Sequence, residues 1–223
     1  MRKTTFVTLR QEAGGAIMSD MTIPAEAGSE GPAGLRERKK AKTRDDLREA
    51  ATELFTEQGF DRTTIEEIAA RCDVSPRTFF RYFANKEDVL FVEGEERCQQ
   101  LLAELAARPA SETPLVALRE SFVHLASAVE SDREGLMKRK RIYAETPSLR
   151  TRHLERQQSW DQEIFEALRD RPGASKHAVM DLRLVAGTSM AALHAAVDTW
   201  LEGGGDLRVL VERAFDRISA GLA

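Results

Sequence analysis

The chain has 223 residues, enough for one large domain or two small ones. Hydrophobic residues make up 42%, charged residues 31% and aromatic residues only 6%, which favours a helix-rich globular protein over an all-β sandwich. With two cysteines and no apolar run of about 18 residues, the composition excludes a disulfide-stapled secreted domain and a membrane protein. We therefore expect a cytoplasmic protein.

The net charge of −4 is unevenly distributed along the chain. Between positions 36 and 48 there are seven basic and three acidic residues, a local net charge of +4. A basic end on an acidic body is typical of a protein that touches a polyanion with one end only.

Residues 1–34 are predicted to form a flexible N-terminal arm. Glycine, proline and small residues are scattered through this segment without a sustained period. Arg2 and Lys3 are not followed by the apolar stretch of a secretory signal, so secretion is not expected.

Four helices are predicted next in the chain. Apolar residues at 47, 50, 51, 54 and 55 share one face of a helix that runs from Leu35 to a stop at Gly59. A short second helix follows Thr63 or Thr64, and a third is capped by Ser75 with Pro76 at its first position. The fourth extends from about Asn85 to Ala107.

The second half repeats this pattern with longer helices. The predicted segments are 113–129, 132–144, 147–170, 175–201 and 206–221, with proline, glycine or polar residues at the breaks. No strand-like alternation of useful length occurs. The predicted fold class is therefore all-α, with about nine helices.

The most informative segment is TTIEEIAARCDVSPRTFFRYFANKEDVL, residues 63–90. It reads as a helix, a tight turn, a second helix and the start of a third. Phe79 and Phe83 are expected to face inward, which leaves an exposed short helix that carries Pro76, Arg77, Phe80, Arg81 and Tyr82. A major groove admits such a helix, and arginine can bond guanine in two places while an aromatic ring packs on a thymine methyl.

This segment resembles the helix-turn-helix of the TetR family of bacterial transcriptional regulators. The matching positions are Thr63, Thr64, Ile65, Ile68, Ala69, Val74, Ser75, Thr78, Phe79, Tyr82, Phe83, Lys86 and Leu90. Two positions depart from the family pattern: Cys72-Asp73 replaces Ala-Gly in the turn, and Phe80 replaces a common tyrosine, so a phosphate bond from that hydroxyl is lost. Asp tolerates the left-handed backbone conformation better than most residues.

The resemblance implies three parts: the arm at 1–34, a helix-turn-helix DNA-binding domain at 35–88, and a helical effector-binding and dimerisation domain at 89–223. Hydroxyls and free N–H groups at helix starts suit phosphates, and the arginines and rings suit bases. The residues expected at the DNA are Arg44, Thr63, Thr64, Ser75, Pro76, Arg77, Thr78, Phe80, Arg81, Tyr82 and Lys86.

A homodimer on a palindromic operator is expected, because two half-sites multiply a modest single-site affinity. The last two helices are the candidate interface, through the small residues Ala186, Gly187, Ala191, Ala192, Ala195 and Ala196 and the bulkier Phe215 and Ile218. Packing of these same faces within one protomer is the alternative interpretation.

Candidate effector-binding residues combine apolar walls with a few polar tips. They are Phe122, His124, Arg141, Tyr143, Trp160, Phe165, Met190 and His194. A second basic cluster, with Lys138 to Arg141 followed by Arg150, Arg152 and Arg156, is either a solvated face or an anchor for an anionic effector such as an acyl-CoA.

The sequence predicts a ligand-responsive repressor, with a helical scaffold or a small-molecule-binding enzyme as the alternatives. The known catalytic and phosphate-loop motifs are missing from the sequence, so an enzyme is not expected. The four histidines lack ligand spacing, so neither a metal nor another cofactor is expected.

Overall fold

The computed structural model describes residues 32–174 and 177–221, with side chains from residue 34. Most of the predicted arm lies outside these residues. The chain divides into two compact units, residues 1–38 and 39–223. Residues 32–38 of the first unit are helical, and all the packing described below belongs to the second unit.

All the regular structure in the described ranges is helical, which confirms the predicted class and the number of helices. The elements are α1 (Pro32–Gln58), α2 (Ile65–Arg71), α3 (Pro76–Phe80), α4 (Asp88–Ala107), α5 (Pro114–Glu130), α6 (Arg133–Glu145), α7 (Pro147–Asp170), α8 (Val179–Gly203) and α9 (Leu207–Ser219). Within the same ranges no helix is long and apolar enough to span a bilayer, and no group of three or more His, Cys, Asp or Glu side chains could hold a metal ion.

Three helix starts differ from the prediction by three or four residues. Helix α1 begins at Pro32, three residues inside the predicted arm. Helix α4 begins at Asp88 rather than near Asn85, because the Asn85 side-chain oxygen accepts a hydrogen bond of 2.9 Å from the Asp88 amide and so acts before the helix, not within it. Helix α8 begins at Val179 instead of residue 175, after a turn in which the His177 amide bonds the Ala174 carbonyl.

Two apolar cores organise the second unit. The first, here called the N-terminal core, joins α1–α4 to the end of α6 and the start of α7, and its members include Leu47, Phe55, Ile68, Phe79, Phe83, Leu90, Phe91, Ile142, Tyr143 and Leu149. The second, the C-terminal core, is built by α4, α5, α7, α8 and α9. Helix α4 supplies residues to both cores, so it connects the helix-turn-helix to the larger bundle.

Candidate DNA interface and effector cavity

The turn between α2 and α3 is fixed by its backbone. Asp73 adopts a φ of 53°, in the left-handed region, and among the described residues no other non-glycine residue has a positive φ. This is the position where the family pattern has glycine. Ser75 then caps α3, since its hydroxyl accepts a hydrogen bond of 3.2 Å from the Thr78 amide, and Pro76 occupies the first turn.

Helix α3 presents a polar and aromatic surface on a buried apolar base. Phe79 is fully buried and its ring lies 5.4 Å from that of Phe83. Arg77, Phe80 and Arg81 are exposed, and Phe80 has 55% of its surface accessible, which is unusual for a phenylalanine. A shallow surface depression is lined by Ser75, Arg77, Thr78, Phe80 and Arg81, so five of the predicted DNA-binding residues lie together.

Tyr82 follows α3 and is tied to Arg81. An Arg81 guanidinium nitrogen donates a hydrogen bond of 3.0 Å to the Tyr82 hydroxyl, and the guanidinium carbon lies 5.0 Å from the centre of the ring. This contact holds the exposed Arg81 side chain at the C-terminal end of α3.

The two threonines before α2 have different environments. Thr64 is exposed and forms a capping box: its hydroxyl accepts from the Glu67 amide, and its own amide donates to the Glu67 carboxylate at 2.8 Å. The Thr64 hydroxyl also donates to the Glu67 carboxylate at 3.1 Å, and the bonds from the amide and then from this hydroxyl lower the pKa of Glu67. Thr63 is buried, and its hydroxyl donates to the Gly59 carbonyl at 2.9 Å.

Lys86 and Arg44 also have partners within the protein. The Lys86 ammonium donates to the carbonyls of Phe60, at 2.8 Å, and Thr63, at 3.0 Å, and lies 4.3 Å from the centre of the Phe60 ring. Lys86 therefore connects the residues just before α4 to the loop before α2. Arg44 is half-buried on α1 and forms an ion pair with Glu96 of α4.

A cavity of about 210 Å³ lies among α4, α5, α6, α7 and α8. Three nearly parallel rings line it: Phe91 and Tyr143 lie 5.2 Å apart, and Tyr143 and His153 lie 4.7 Å apart, with interplanar angles of 7° and 17°. The Tyr143 hydroxyl donates a hydrogen bond of 2.7 Å to the Leu90 carbonyl, and burial raises the pKa of this phenol. Trp160 adds a fourth ring to the lining.

Two histidines in the cavity are bridged by Gln157. Its amide nitrogen lies 3.2 Å from His153 Nε2 and 3.3 Å from His194 Nε2. An amide nitrogen donates, so this geometry fits imidazoles whose Nε2 atoms accept, which are neutral rings. Burial lowers the pKa of His153 and of His194, in agreement with this pairing.

A charged network connects the cavity with α1. The Glu93 carboxylate lies 2.9 Å from a nitrogen of Arg48, 2.9 Å from Arg97 and 2.8 Å from Arg139. Asp132 also lies 2.8 Å from Arg139 and 3.7 Å from Arg97. Arg97 and Arg139 line the cavity, whereas Arg48 belongs to α1, so Glu93 bridges the two regions.

Of the eight residues predicted for the effector, the structure brings three to the cavity: Tyr143, Trp160 and His194. The other five lie elsewhere. Phe122, Phe165 and Met190 are packed in the C-terminal core; His124 and Arg141 are exposed and lie near Glu104, at 3.6 Å, and Glu145, at 2.8 Å.

The sequence interpretation missed Arg97, His153 and Gln157 of the lining. His153 and Gln157 could have been found from their spacing, because residues 153, 157 and 160 share one face of α7 with the predicted Trp160.

Seven of the eight predicted dimer residues separate into two groups, and the eighth, Ile218, is half-buried against the C-terminal core. Ala186, Ala192, Ala196 and Phe215 are buried inside the protomer, and the Phe215 ring lies 5.9 Å from that of Phe122. Gly187, Ala191 and Ala195 of α8 are exposed, beside the exposed apolar residues Val179, Met180 and Leu184 of the same helix. The alternative of packing within the protomer therefore holds for the first group.

Comparison with known proteins gives two family matches. Residues 47–92 match the model of the bacterial regulatory proteins of the tetR family, and residues 112–223 match the MftR C-terminal domain. The first match covers α2, α3 and the contacts of Lys86, and the second covers most of the helices that surround the cavity.

Individual relatives agree with these matches. The chain is 38% identical over 146 residues to the HTH-type transcriptional regulator TcmR of Streptomyces glaucescens; the match covers 63% of this chain and 65% of TcmR, just under two thirds of that protein. It is 26% identical over 186 residues to the mycofactocin biosynthesis transcriptional regulator MftR of Mycobacterium tuberculosis, covering 83% and 93% of the two chains.

Among solved structures, the chain resembles Thermus thermophilus FadR, a TetR family transcriptional repressor in complex with lauroyl-CoA. The TM-score is 0.55 and the identity 25%, over 81% of this chain and 95% of FadR. With a family match over half of its length and an exposed helix-turn-helix near its start, the chain belongs to the TetR family of bacterial regulatory proteins.

Proposed function

We propose that the protein is a ligand-responsive transcriptional repressor that binds a palindromic operator as a homodimer and leaves it when a small effector occupies the cavity. The observation that carries this proposal is the exposed surface of α3, where Arg77, Phe80 and Arg81 stand on a base of buried phenylalanines. In this proposal the arginines bond guanine edges and Phe80 packs on a thymine methyl.

Phosphate contacts would fix the register of α3 in the groove. Thr64 and Ser75 are exposed hydroxyls at helix starts. Lys86 uses two of its three N–H donors on carbonyls of the protein, so one remains for a phosphate. Thr63, being buried, is assigned a positioning role through its carbonyl, which accepts from Lys86.

The dimer is assigned to the last two helices. On α8 the exposed small residues Gly187, Ala191 and Ala195 allow close approach of a partner helix, and Met180 and Leu184 add apolar area at helical spacing. A twofold pair through this face would present two α3 helices to successive major grooves.

The coupling between effector and DNA would run through Glu93. It is one carboxylate shared by Arg48 of α1 and by Arg97 and Arg139 at the cavity, so a ligand that draws the cavity arginines away also changes the restraint on α1. Binding would favour a spacing of the two α3 helices that no longer fits the operator.

We assign residues 35–88 to DNA binding and 89–223 to effector binding and dimerisation, as the sequence predicts. We further propose that the protein acts in the cytoplasm, at the nucleoid when bound to its operator. The effector is a small hydrophobic molecule or an acyl-CoA-like one, since the cavity is lined mainly by apolar side chains and FadR binds lauroyl-CoA.

The test starts with selection of DNA fragments by the purified protein, followed by binding to a selected palindrome and its single-base variants. Arg77→Ala or Arg81→Ala is expected to cost about 1–3 kcal/mol and to relax base choice at one position per half-site. The matched control is Arg169→Ala, an exposed arginine of α7 paired with Asp170, which leaves binding unchanged.

Affinity should also fall steeply with salt. If the arginine variants lose the same affinity for every single-base variant of the palindrome, Arg77 and Arg81 do not contact bases specifically. Failure to retard any selected fragment at low salt would reject the proposal and favour a helical scaffold.

A further inference from the structure

The cavity is small for an acyl-CoA-like effector. Its volume of about 210 Å³ lies below the roughly 300–1,000 Å³ that is usual for drug-sized ligands. An apolar cavity of about 150 Å³ is known to hold benzene. The space therefore suits a molecule of one or two fused rings rather than a long acyl chain.

The walls of the cavity are aromatic. Phe91, Tyr143 and His153 form the three-ring stack, and Trp160 lies beside Gly94, where an added Cβ would lie 3.5 Å from the indole ring. A cavity lined by rings favours an aromatic ligand, because stacked and edge-on ring pairs add attraction beyond the burial of apolar area.

The charge at the wall of the cavity is positive. Three guanidinium groups, those of Arg48, Arg97 and Arg139, share the carboxylates of Glu93 and Asp132. Asp45 also contacts this group, but its carboxylate lies 3.9 Å from Arg48 and is 66% exposed. Burial lowers the pKa of Arg97, and the neighbouring Glu93 carboxylate opposes that shift.

One lining residue carries a hydrogen-bond donor without an acceptor. The Trp160 indole nitrogen is buried and has no partner among the described residues. A buried donor without an acceptor is unfavourable, so this side of the cavity favours a polar ligand atom over an entirely apolar one. Asp198, the carboxylate of the lining, is already paired with Lys140.

We propose that the cavity binds a compact aromatic carboxylate, with its ring beside the stack of Phe91, Tyr143 and His153 and its carboxylate at Arg97 and Arg139. The inference rests on the proposed function only in making this ligand the effector; binding itself is independent of DNA. It also supplies the anion that competes with Glu93 for the cavity arginines.

The probes are 2-naphthoate, its neutral isostere 2-naphthylmethanol, the aliphatic acid decanoate, and lauroyl-CoA, each titrated by calorimetry into the full chain. We expect 2-naphthoate to bind at least tenfold more tightly than the neutral isostere and than decanoate. Equal affinity for the two naphthyl compounds would overturn the assigned charge contact, and tighter binding of decanoate or lauroyl-CoA would overturn the aromatic compact ligand.

Variants locate the contact. Arg97→Gln is expected to lower the affinity for 2-naphthoate at least tenfold and to leave the affinity for the neutral isostere unchanged. Arg97→Lys keeps the positive charge and is expected to recover part of the affinity for 2-naphthoate. It also keeps the test valid in case the glutamine variant does not fold. Arg141→Gln, which removes an exposed arginine of α6, is the matched control and leaves affinity unchanged. No difference between Arg97→Gln, Arg97→Lys and the control would overturn the site.

A second readout separates this inference from the proposed function. Naphthoate should release the protein from its selected palindrome, measured by anisotropy of labelled DNA. Tight DNA binding that is released by lauroyl-CoA and not by naphthoate would overturn the inference alone. Naphthoate binding by a chain that retards no DNA would support the ligand assignment and reject the repressor.

Discussion

Replacement of Lys86 by methionine should destabilise the fold more than a half-buried surface lysine normally does. The variant keeps the aliphatic stem but removes an ammonium that donates to two carbonyls, of Phe60 and Thr63, and lies 4.3 Å from the Phe60 ring centre. Hydrogen bonds to a charged group contribute about 1.5–3 kcal/mol each, and a partly exposed cation–π contact about 0.5–1 kcal/mol.

Water can reach this site once the ammonium is gone, so the lower ends of these ranges apply. The expected loss is about 3.5 kcal/mol in the free energy of unfolding, which corresponds to a melting temperature lower by roughly 7–14 °C for a chain of this size. Urea denaturation at fixed protein concentration measures it. The matched control is Lys138→Met, which breaks an exposed pair with Glu134 and should cost less than about 1 kcal/mol.

The same variant tests the third donor of Lys86. If that donor reaches a phosphate, the slope of log affinity against log salt falls in magnitude by about 0.9 per protomer. A stability within about 0.5 kcal/mol of the unmodified protein would refute the structural tie. An unchanged salt slope with lowered stability would refute the phosphate contact and leave Lys86 a positioning residue.

Three further outcomes follow from local geometry. Asp73→Gly should raise the free energy of unfolding by about 0.5–1 kcal/mol in urea, because glycine takes a φ of 53° without strain, whereas Asp61→Gly, where φ is not positive, should give no gain. Burial lowers the pKa of His153 and His194, so on lowering the pH these histidines bind protons in the unfolded chain before they do in the folded one. The free energy of unfolding should therefore be greatest above about pH 7, fall through about pH 6.5 and level off below the native pKa values. A His153→Gln/His194→Gln variant should lack this fall. Tyr143→Phe should cost about 1 kcal/mol through the lost bond to a carbonyl of α4, and an unchanged urea midpoint would contradict that bond's contribution.

Local chemistry explains why the helix-turn-helix was predictable. The capping box at Thr64, the serine cap and proline of α3, and the left-handed turn at Asp73 are set by residues within a few positions of one another. The roles of adjacent residues of the same type are harder to predict. Thr63 and Thr64 cannot be distinguished in the sequence, yet the Thr63 hydroxyl is buried against Gly59 and the Thr64 hydroxyl caps α2.

The cavity was only partly predictable, because it is assembled from five helices. Residue type singled out Phe122, Phe165 and Met190, but type does not reveal whether a side chain meets the cavity or the C-terminal core. The sequence does not point to Arg97, and it points to Arg139 only as part of the basic cluster Lys138 to Arg141, for a different reason. A charged residue in a helix is usually solvated, and only the pairing with Glu93, four residues from Arg97 but 46 positions from Arg139, explains their burial.

The composition of the N-terminal core limits how this regulator could be recombined with its relatives. Ile142, Tyr143 and Leu149, from the corner between α6 and α7, pack among residues of the first four helices. Each buried apolar side chain of this size contributes about 1.5–3 kcal/mol. A chimera that contains only the first ninety residues of this chain would lack these three side chains and lose roughly 5 kcal/mol or more of stability. Any chimera that transfers the DNA specificity of this chain must therefore include the α6–α7 corner, or a corner of matching shape from the other protein.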